Sequence, residues 1–194
     1  MRTTKDLKQK IINASLELFA AKGYAGTSMN DIISKTGISK GGVYWHFKSK
    51  EDLFVQVIEE NYDQWISLLD QALKDIPDPI EKLKKYGNLF ITTADIPAWR
   101  ISPEMNWNEF SPESRQIIDD CLARDGKIVF DLFCEAIERN MLKYDDPKEL
   151  SWIYISYLEG LFTKMVLAYK YNTQPGDVLE KYALFGVSLF FDAI

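Results

Sequence analysis

The chain has 194 residues, of which 46% are hydrophobic and 27% are charged, and its formal net charge is −6. This composition excludes a disordered chain, and the length provides one substantial core, or one core with a small satellite domain. The two cysteines, Cys121 and Cys134, form neither a CxxC pair nor the framework of a secreted mini-protein, which favours reduced thiols in a cytoplasmic protein.

Membrane association is not expected. Charged residues interrupt the N-terminus too often for a signal peptide. The most apolar late stretch, residues 152–171, contains Glu159, Lys164 and Lys170, which favours a buried helix over a membrane span. We therefore expect a cytoplasmic chain with no membrane partner.

Charge is divided unevenly along the chain. Residues 1–50 hold nine Lys or Arg against three Asp or Glu, a local charge of +6. The remainder holds 14 basic and 26 acidic residues, a charge of −12. A basic N-terminal segment suits a surface that faces phosphates, although an ordinary solvated surface explains the same asymmetry.

The helical period runs through the whole chain and no segment of useful length alternates with period two, so we predict an all-α fold. A first helix is predicted over about residues 4–22, because its apolar residues form one stripe and Gly23 follows as a stop. Ser28 and Asp31 have the spacing of a capping box at the start of a short second helix, which Gly37 ends.

Two serines are candidate caps for the next helices. Ser39 precedes a third helix over residues 40–47, and Ser49 precedes a long fourth helix that ends before Pro77. Five further segments each begin with proline, as is typical of a first helical turn: residues 79–94, 97–107, 112–141, 147–171 and 175–193. The pair Asp125-Gly126 is a candidate break or kink in the third of these.

The second and third helices, joined by residues 36–39, have the proportions of a helix-turn-helix. In the third helix Val43 and Phe47 lie one turn apart and should pack inward. Lys40, Tyr44 and Lys48 form a separate ridge at the same spacing, which should face outward. This ridge would offer two cations and a phenol to a partner.

The third helix also begins with two glycines, Gly41 and Gly42. A glycine inside a helix costs about 1 kcal/mol relative to alanine. Its presence favours a close approach to the backbone by another molecule, such as DNA presenting its major groove. A helix start that frays explains the same residues.

The run from Ser39 to Lys50 resembles the DNA-binding region of the TetR family of repressors, most specifically in Tyr44-Trp45-His46-Phe47 followed by two lysines. The other matching residues are Gly23, Tyr24, Thr27, Ser28, Asp31, Ile32, Lys35, Gly37, Asp52 and Leu53. The resemblance covers about residues 8–58. It implies a three-helix DNA-binding domain over residues 1–50 and a helical ligand-binding and dimerisation domain over residues 51–194. It further implies a homodimer that binds an inverted repeat in double-stranded DNA.

The resemblance also implies which residues contact DNA. A phosphate would be bound by Thr27 and Ser28 at a helix N-terminus, where backbone N–H groups are free. The full predicted set is Thr27, Ser28, Ser39, Lys40, Gly41, Gly42, Tyr44, Trp45, His46, Lys48 and Lys50. Within it Lys40 and Gly42 occupy base-contacting positions. Gly42 departs from the family pattern because it has no side chain, so base reading there is absent or limited to a thymine methyl.

Three aromatic residues of this region have a second interpretation. Tyr24 is expected to pack against the first helix as part of the core. Trp45 is expected either to contact DNA or to pack partly on the fourth helix. His46, the only histidine, is either structural or a ligand of the DNA backbone.

Beyond residue 50 the chain carries 21 of its 26 aromatic residues. The cluster of Trp99, Trp107 and Phe110, with two glutamates nearby, suits a small lipophilic or cationic ligand, and it suits an ordinary core equally. The predicted ligand-binding residues are Trp65, Tyr86, Phe90, Trp99, Trp107, Phe130, Phe133, Tyr154 and Leu158. Glu159 interrupts an apolar run and is expected to contact a ligand, pair across a dimer interface, or lie at the edge of the stripe.

Small residues on the last two helices would let a partner helix approach closely. They are Ser156, Gly160, Ala183 and Gly186, which we predict to lie in a dimer interface. No metal, cofactor or enzymatic activity is expected, because one histidine and two separated cysteines give neither a ligand cluster nor a nucleophile–base pair. The alternative function is a protein-interaction adaptor that keeps the helix-turn-helix shape without binding DNA.

Overall fold

The computed structural model describes residues 4–93, 107–170 and 176–193. These ranges contain eight α-helices and no strand, which confirms the predicted all-α fold: α1 Thr4–Lys22, α2 Met29–Thr36, α3 Lys40–His46, α4 Lys50–Leu73, α5 Pro79–Thr92, α6 Pro112–Glu138, α7 Pro147–Lys170 and α8 Gly176–Ala193. A short 3₁₀ turn, Trp107–Glu109, precedes α6. Within the described ranges no helix combines the length and the apolar character needed to span a bilayer.

Helix ends follow the local signals in the sequence. Asp78 caps α5 by accepting hydrogen bonds from the N–H groups of Ile80 and Glu81, with Pro79 in the first turn. The left-handed backbone of Gly37 ends α2 at φ 65°, a conformation that glycine adopts without strain. The predicted break at Asp125-Gly126 is wrong, since α6 continues through both residues.

The chain divides by internal contacts into two compact units. The first unit comprises residues 1–64 and 97–121, and the second comprises residues 65–96 and 122–194. Both α4 and α6 continue from the first unit into the second. The functional boundary expected at residue 50 stays a prediction.

Aromatic rings hold the core of the first unit together. Phe54 of α4 meets Phe19 of α1 edge to face at 5.0 Å. Phe110, which precedes α6 and is 4% exposed, lies 4.7 Å from Tyr24 and 5.2 Å from Phe54, ring centre to ring centre. The prediction that Tyr24 packs in the core is therefore confirmed. Phe110 belongs to the same core and not to a ligand cavity.

In the second unit α5 packs against α7 and α8. The hydroxyl of the buried Tyr154 donates a hydrogen bond to the carbonyl of Leu83 at 2.7 Å. A side chain on Gly87 would collide with that hydroxyl, so the glycine permits the close approach of α7 to α5. Phe133 and Leu158 are buried beside them in the apolar interior.

Candidate nucleic-acid interface

The start of α2 is fixed by a reciprocal capping box. The Ser28 hydroxyl accepts a hydrogen bond from the Asp31 N–H at 3.1 Å, and the Asp31 carboxylate accepts one from the Ser28 N–H at 2.9 Å. The Ser28 hydroxyl also donates to this carboxylate at 2.5 Å, and this bond, then the one from the Ser28 N–H and one from Lys22, hold the pKa of Asp31 at about 2. Ser28 itself is exposed, so the N-terminus of α2 is presented at the surface of the first unit.

Thr27 lies inside the domain. Its hydroxyl donates to the carbonyls of Gly23 at 2.9 Å and Leu18 at 3.2 Å, and its backbone N–H donates to Tyr24. The side chain is 2% exposed. Because both donors are used within the chain, the structure offers no Thr27 donor to a phosphate, and we leave this residue out of the interface.

Helix α3 has the two faces that its spacing predicted. Val43 and Phe47 are buried, at 0% and 1% exposure. Lys40 and Tyr44 are exposed on the other side. Lys48 is also exposed but does not continue the predicted ridge, because α3 ends at His46 and the backbone is extended at Phe47. The Lys40 ammonium lies 5.9 Å from the centre of the Tyr44 ring, so the two side chains form one amphipathic surface patch.

The two glycines of α3 differ in their surroundings. A Cβ on Gly42 would lie 2.8 Å from Cγ2 of Ile38 and 3.2 Å from the hydroxyl of Ser39, which caps α3 through the Gly42 N–H. A Cβ on Gly41 would meet nothing within 4 Å. Gly42 is therefore needed by the turn itself, while Gly41 leaves open backbone at the surface.

Trp45 and His46 lie next to each other near the end of α3. Trp45 is 72% exposed, so the interpretation in which it packs on α4 is wrong. Its ring meets the His46 ring edge to face at 4.7 Å. His46 is partly exposed beside it, and the pair extends the accessible surface of α3 beyond Tyr44.

Lys50 is held in place at the start of α4. Its ammonium donates to the carbonyl of Tyr24 at 2.8 Å and lies 4.1 Å from the centre of the Tyr24 ring. An ammonium has three donors, and this contact uses one of them. Burial, together with the charges of Glu51 and Glu109, raises the pKa of Tyr24 to about 12, so this ring remains a neutral support for Lys50 near pH 7.

Residues 11–57, which include α2, α3 and the start of α4, match the sequence model of the bacterial regulatory proteins of the tetR family. Over this segment the chain is similar to the TetR family. Similar proteins include the regulator QacR of Staphylococcus aureus, 33% identical over 88 residues, and the uncharacterised regulator YerO of Bacillus subtilis, 41% identical over 80 residues. The matched segments cover 45% and 40% of this chain but only 47% and 28% of those relatives.

Solved structures resemble this chain over nearly its full length. FadR of Bacillus subtilis, solved with stearoyl-CoA, has a TM-score of 0.81 at 23% identity. The match covers 96% of this chain and 98% of the FadR chain. A regulator from Saccharomonospora viridis, solved with choline, has a TM-score of 0.84 at 19% identity, covering 97% and 96%. At these identities the likeness establishes the helical fold.

The predicted ligand-binding residues of this chain differ in burial and location. Trp65, Tyr86, Phe133, Tyr154 and Leu158 are buried in the second unit, and Phe90 is partly buried. Phe130 is 38% exposed and instead lines a surface cavity of about 390 Å³ with Trp152 and Glu159. Trp99 and the side chain of Trp107 lie outside the described residues.

Sequence reasoning missed the polar centre of the second unit. One oxygen of the Asp125 carboxylate accepts a hydrogen bond from Trp65 Nε1 and the other accepts one from the Tyr86 hydroxyl, each at 2.9 Å. Burial raises the pKa of Asp125 despite these two bonds. We read the Asp125-Gly126 pair as a break signal, and the signal that could have found Asp125 is its helical spacing of four from the buried Cys121 and Val129.

The residues predicted to lie in the dimer interface also differ in their surroundings. Ser156 and Gly160 are exposed on α7, and a Cβ on Gly160 would meet nothing within 4 Å. Gly186 on α8 receives the hydroxyl of Tyr157 from the same chain, so its lack of a side chain is already explained within one subunit. The side chain of Ala183 lies outside the described residues.

Proposed function

We propose that this chain is a transcriptional regulator of the TetR family that binds an inverted repeat in DNA as a homodimer. The observation that carries the proposal is the exposed pair of Lys40 and Tyr44 on α3, with the exposed Lys48 just after the helix, opposite a buried apolar face. A helix of this kind fits the major groove, where cations reach both base edges and flanking phosphates. The basic N-terminal segment supplies the charge for phosphate binding.

Each of the remaining interface residues has a role in this proposal. Lys40 reads a guanine edge, and open backbone at Gly41 lets the helix approach the groove. Tyr44, Trp45, His46, Lys48 and Lys50 contact the DNA backbone, and Ser28 and Ser39 present helix N-termini to phosphates. Gly42 keeps the turn tight and reads no base.

The homodimer is proposed on the exposed apolar side chains of α7 and α8. Trp152 and Ile153 are 71% and 55% exposed, and Phe185 and Leu189 are 59% and 48% exposed. Large apolar side chains grouped on two neighbouring helices are typical of a surface that a partner covers. Two-fold pairing would place two recognition helices about 34 Å apart, one DNA turn.

We further propose a repressor that acts in the cytoplasm and is released from DNA by a small lipophilic ligand bound in the second unit. Ligands of similar folds range from choline to stearoyl-CoA, so they do not decide the ligand class. The class has to be argued from the residues of this chain.

A binding experiment tests the regulator function. The full chain is mixed with DNA from the promoter region beside its own gene and with a randomised operator library, over a range of salt concentrations. We expect binding to an inverted repeat that weakens steeply with salt, because several lysines displace counterions from phosphates. Salt-independent binding, or no binding to any DNA, would contradict the proposal, and the latter would favour the adaptor.

Two variants separate base reading from backbone contact in the same library. Lys40→Ala should change the preferred sequence, whereas His46→Ala should weaken binding to all sequences alike. Lys35→Ala serves as a control for lost charge. It removes an exposed lysine in the last turn of α2 that forms an ion pair with Glu17 of α1. An unchanged sequence preference for Lys40→Ala would remove Lys40 from the base-reading residues.

A further inference from the structure

The buried carboxylate of Asp125 has two neutral hydrogen-bond partners, Trp65 and Tyr86. In the described part of the chain no lysine or arginine forms an ion pair with it, and no cation contributes to its pKa. A carboxylate removed from water without a counter-charge is costly, even when neutral donors bind it. Each carboxylate oxygen accepts one hydrogen bond here and has capacity for another.

Three aromatic rings form a cluster that includes both partners of this carboxylate. Trp65 lies 6.0 Å from Tyr86 and 6.2 Å from Phe90, and Tyr86 stacks on Phe90 at 6.1 Å, measured between ring centres. The faces of such rings attract cations, most strongly when water is excluded. They would repel an anion brought to the same place.

A second carboxylate adds negative charge nearby. Glu159 on α7 is exposed, but partial desolvation by neighbouring atoms and then the charge of Asp125 raise its pKa. Lys148 lines the same surface cavity as Glu159 but forms no ion pair with it among the described residues. No lysine or arginine contributes to the pKa shift of either acid within the described ranges.

Resting on the proposed regulator function, we propose that the effector of this chain is a small organic cation, a quaternary or protonated amine, whose charge is bound by Asp125 between the rings of Trp65, Tyr86 and Phe90. The cation would take the second acceptor positions of the carboxylate and the faces of the rings. Part of the surface of Asp125 remains accessible, which leaves a route to the group. Asp125 lies on α6 and Trp65 on α4, the two helices that continue into the first unit.

The experiment is calorimetric titration of the full chain with three probes. Benzyltrimethylammonium carries the cation, neopentylbenzene is its uncharged carbon isostere, and octanoyl-CoA is an acyl anion. We expect binding of the cation at least about tenfold tighter than that of either other probe. Equal affinity for the two isosteres, preference for octanoyl-CoA, or no binding of the cation would overturn the proposal.

Variants distinguish the charge of Asp125 from its hydrogen bonds to Trp65 and Tyr86. Asp125→Asn keeps the shape and the capacity for both hydrogen bonds but removes the charge, and it should weaken cation binding at least about tenfold. Trp65→Phe removes a hydrogen bond and a stronger cation–π partner but keeps a ring and the charge, and it should weaken cation binding less than Asp125→Asn does. Asp131→Asn, an exposed acid on the same helix that pairs with Lys127, is the matched control and should bind as the parent does.

Equal cation affinity in the parent and Asp125→Asn would overturn the assignment, as would equal losses in Asp125→Asn and Trp65→Phe. If Asp125→Asn does not fold, the comparison of the two isosteres on the unaltered chain still decides whether charge is required. DNA binding is measured separately on the same proteins without any probe. Failure to bind DNA would end the regulator function, while the titrations would still decide the cation site.

Discussion

Gly41 and Gly42 are adjacent glycines that lack a side chain for different physical reasons. Gly41→Ala should preserve the free energy of unfolding or raise it by up to about 1 kcal/mol, since alanine favours helix and its Cβ meets no atom. The same change should weaken DNA binding if the groove approaches this backbone. Urea unfolding and fluorescence anisotropy with a labelled operator measure the two effects.

Gly42→Ala is the matched comparison. Its Cβ would lie 2.8 Å from the branched side chain of Ile38, so the turn between α2 and α3 must distort. We expect lower stability than in Gly41→Ala, with DNA binding lost as a consequence. Equal stability of the two alanine variants would contradict this account of the glycines.

At the scale of one element, the capping box of α2 makes its stability depend on pH. The Ser28 bonds and Lys22 lower the pKa of Asp31 to about 2 from an ordinary value of 3.8. A carboxyl group whose pKa is lowered by folding stabilises the fold above its ordinary pKa, and this stabilisation is lost as pH falls through the folded value. The effect should therefore be complete at pH 6 and disappear between about pH 4 and pH 2.

The variant that measures this effect is Asp31→Asn. The difference in the free energy of unfolding between the parent and this variant should be largest near neutral pH and should shrink as pH is lowered toward 2. Ser28→Ala removes the other half of the box and should cost about 1 kcal/mol at neutral pH. A difference for Asp31→Asn that stays constant with pH would argue against the cap as its origin.

Phe110, just before α6, completes the core of the first unit from outside the helix-turn-helix segment. It packs on Tyr24 and Phe54 and is 4% exposed. Phe110→Ala should lower the free energy of unfolding by about 3–5 kcal/mol, as is typical of a buried phenylalanine. Phe130→Ala, at a residue on α6 that is 38% exposed, should cost clearly less in the same urea titration. Similar losses for the two would refute this role of Phe110.

For the whole molecule, the exposed apolar side chains of α7 and α8 predict the assembly. Lysine in place of Ile153 and Leu189 together should convert the dimer to a monomer, because each charge would be desolvated in the interface. Leu122→Lys, at a residue of α6 that is 39% exposed, should leave the dimer intact. Light scattering coupled to size-exclusion chromatography measures the mass. A double variant that remains dimeric would place the interface elsewhere.

Features that depend on neighbours in the chain could be predicted from the residues alone. Helix starts at Ser28 and Ser39, the stop at Gly37 and the two faces of α3 follow from caps and spacing within a few residues, and the structure confirms them. The TetR resemblance likewise rests on one short contiguous run. Such features are set by local backbone hydrogen bonds and helical periodicity, which a linear pattern records directly.

Only the tertiary structure decided contacts between residues far apart in the chain. It placed Phe110 in the core of the first unit, turned Thr27 inward and joined Asp125 to Trp65 across 60 positions. It also gave Gly186 a role beside Tyr157 of the same chain. Burial depends on which helices pack together, and the pattern of one helix shows that a face is covered without identifying the residues that cover it.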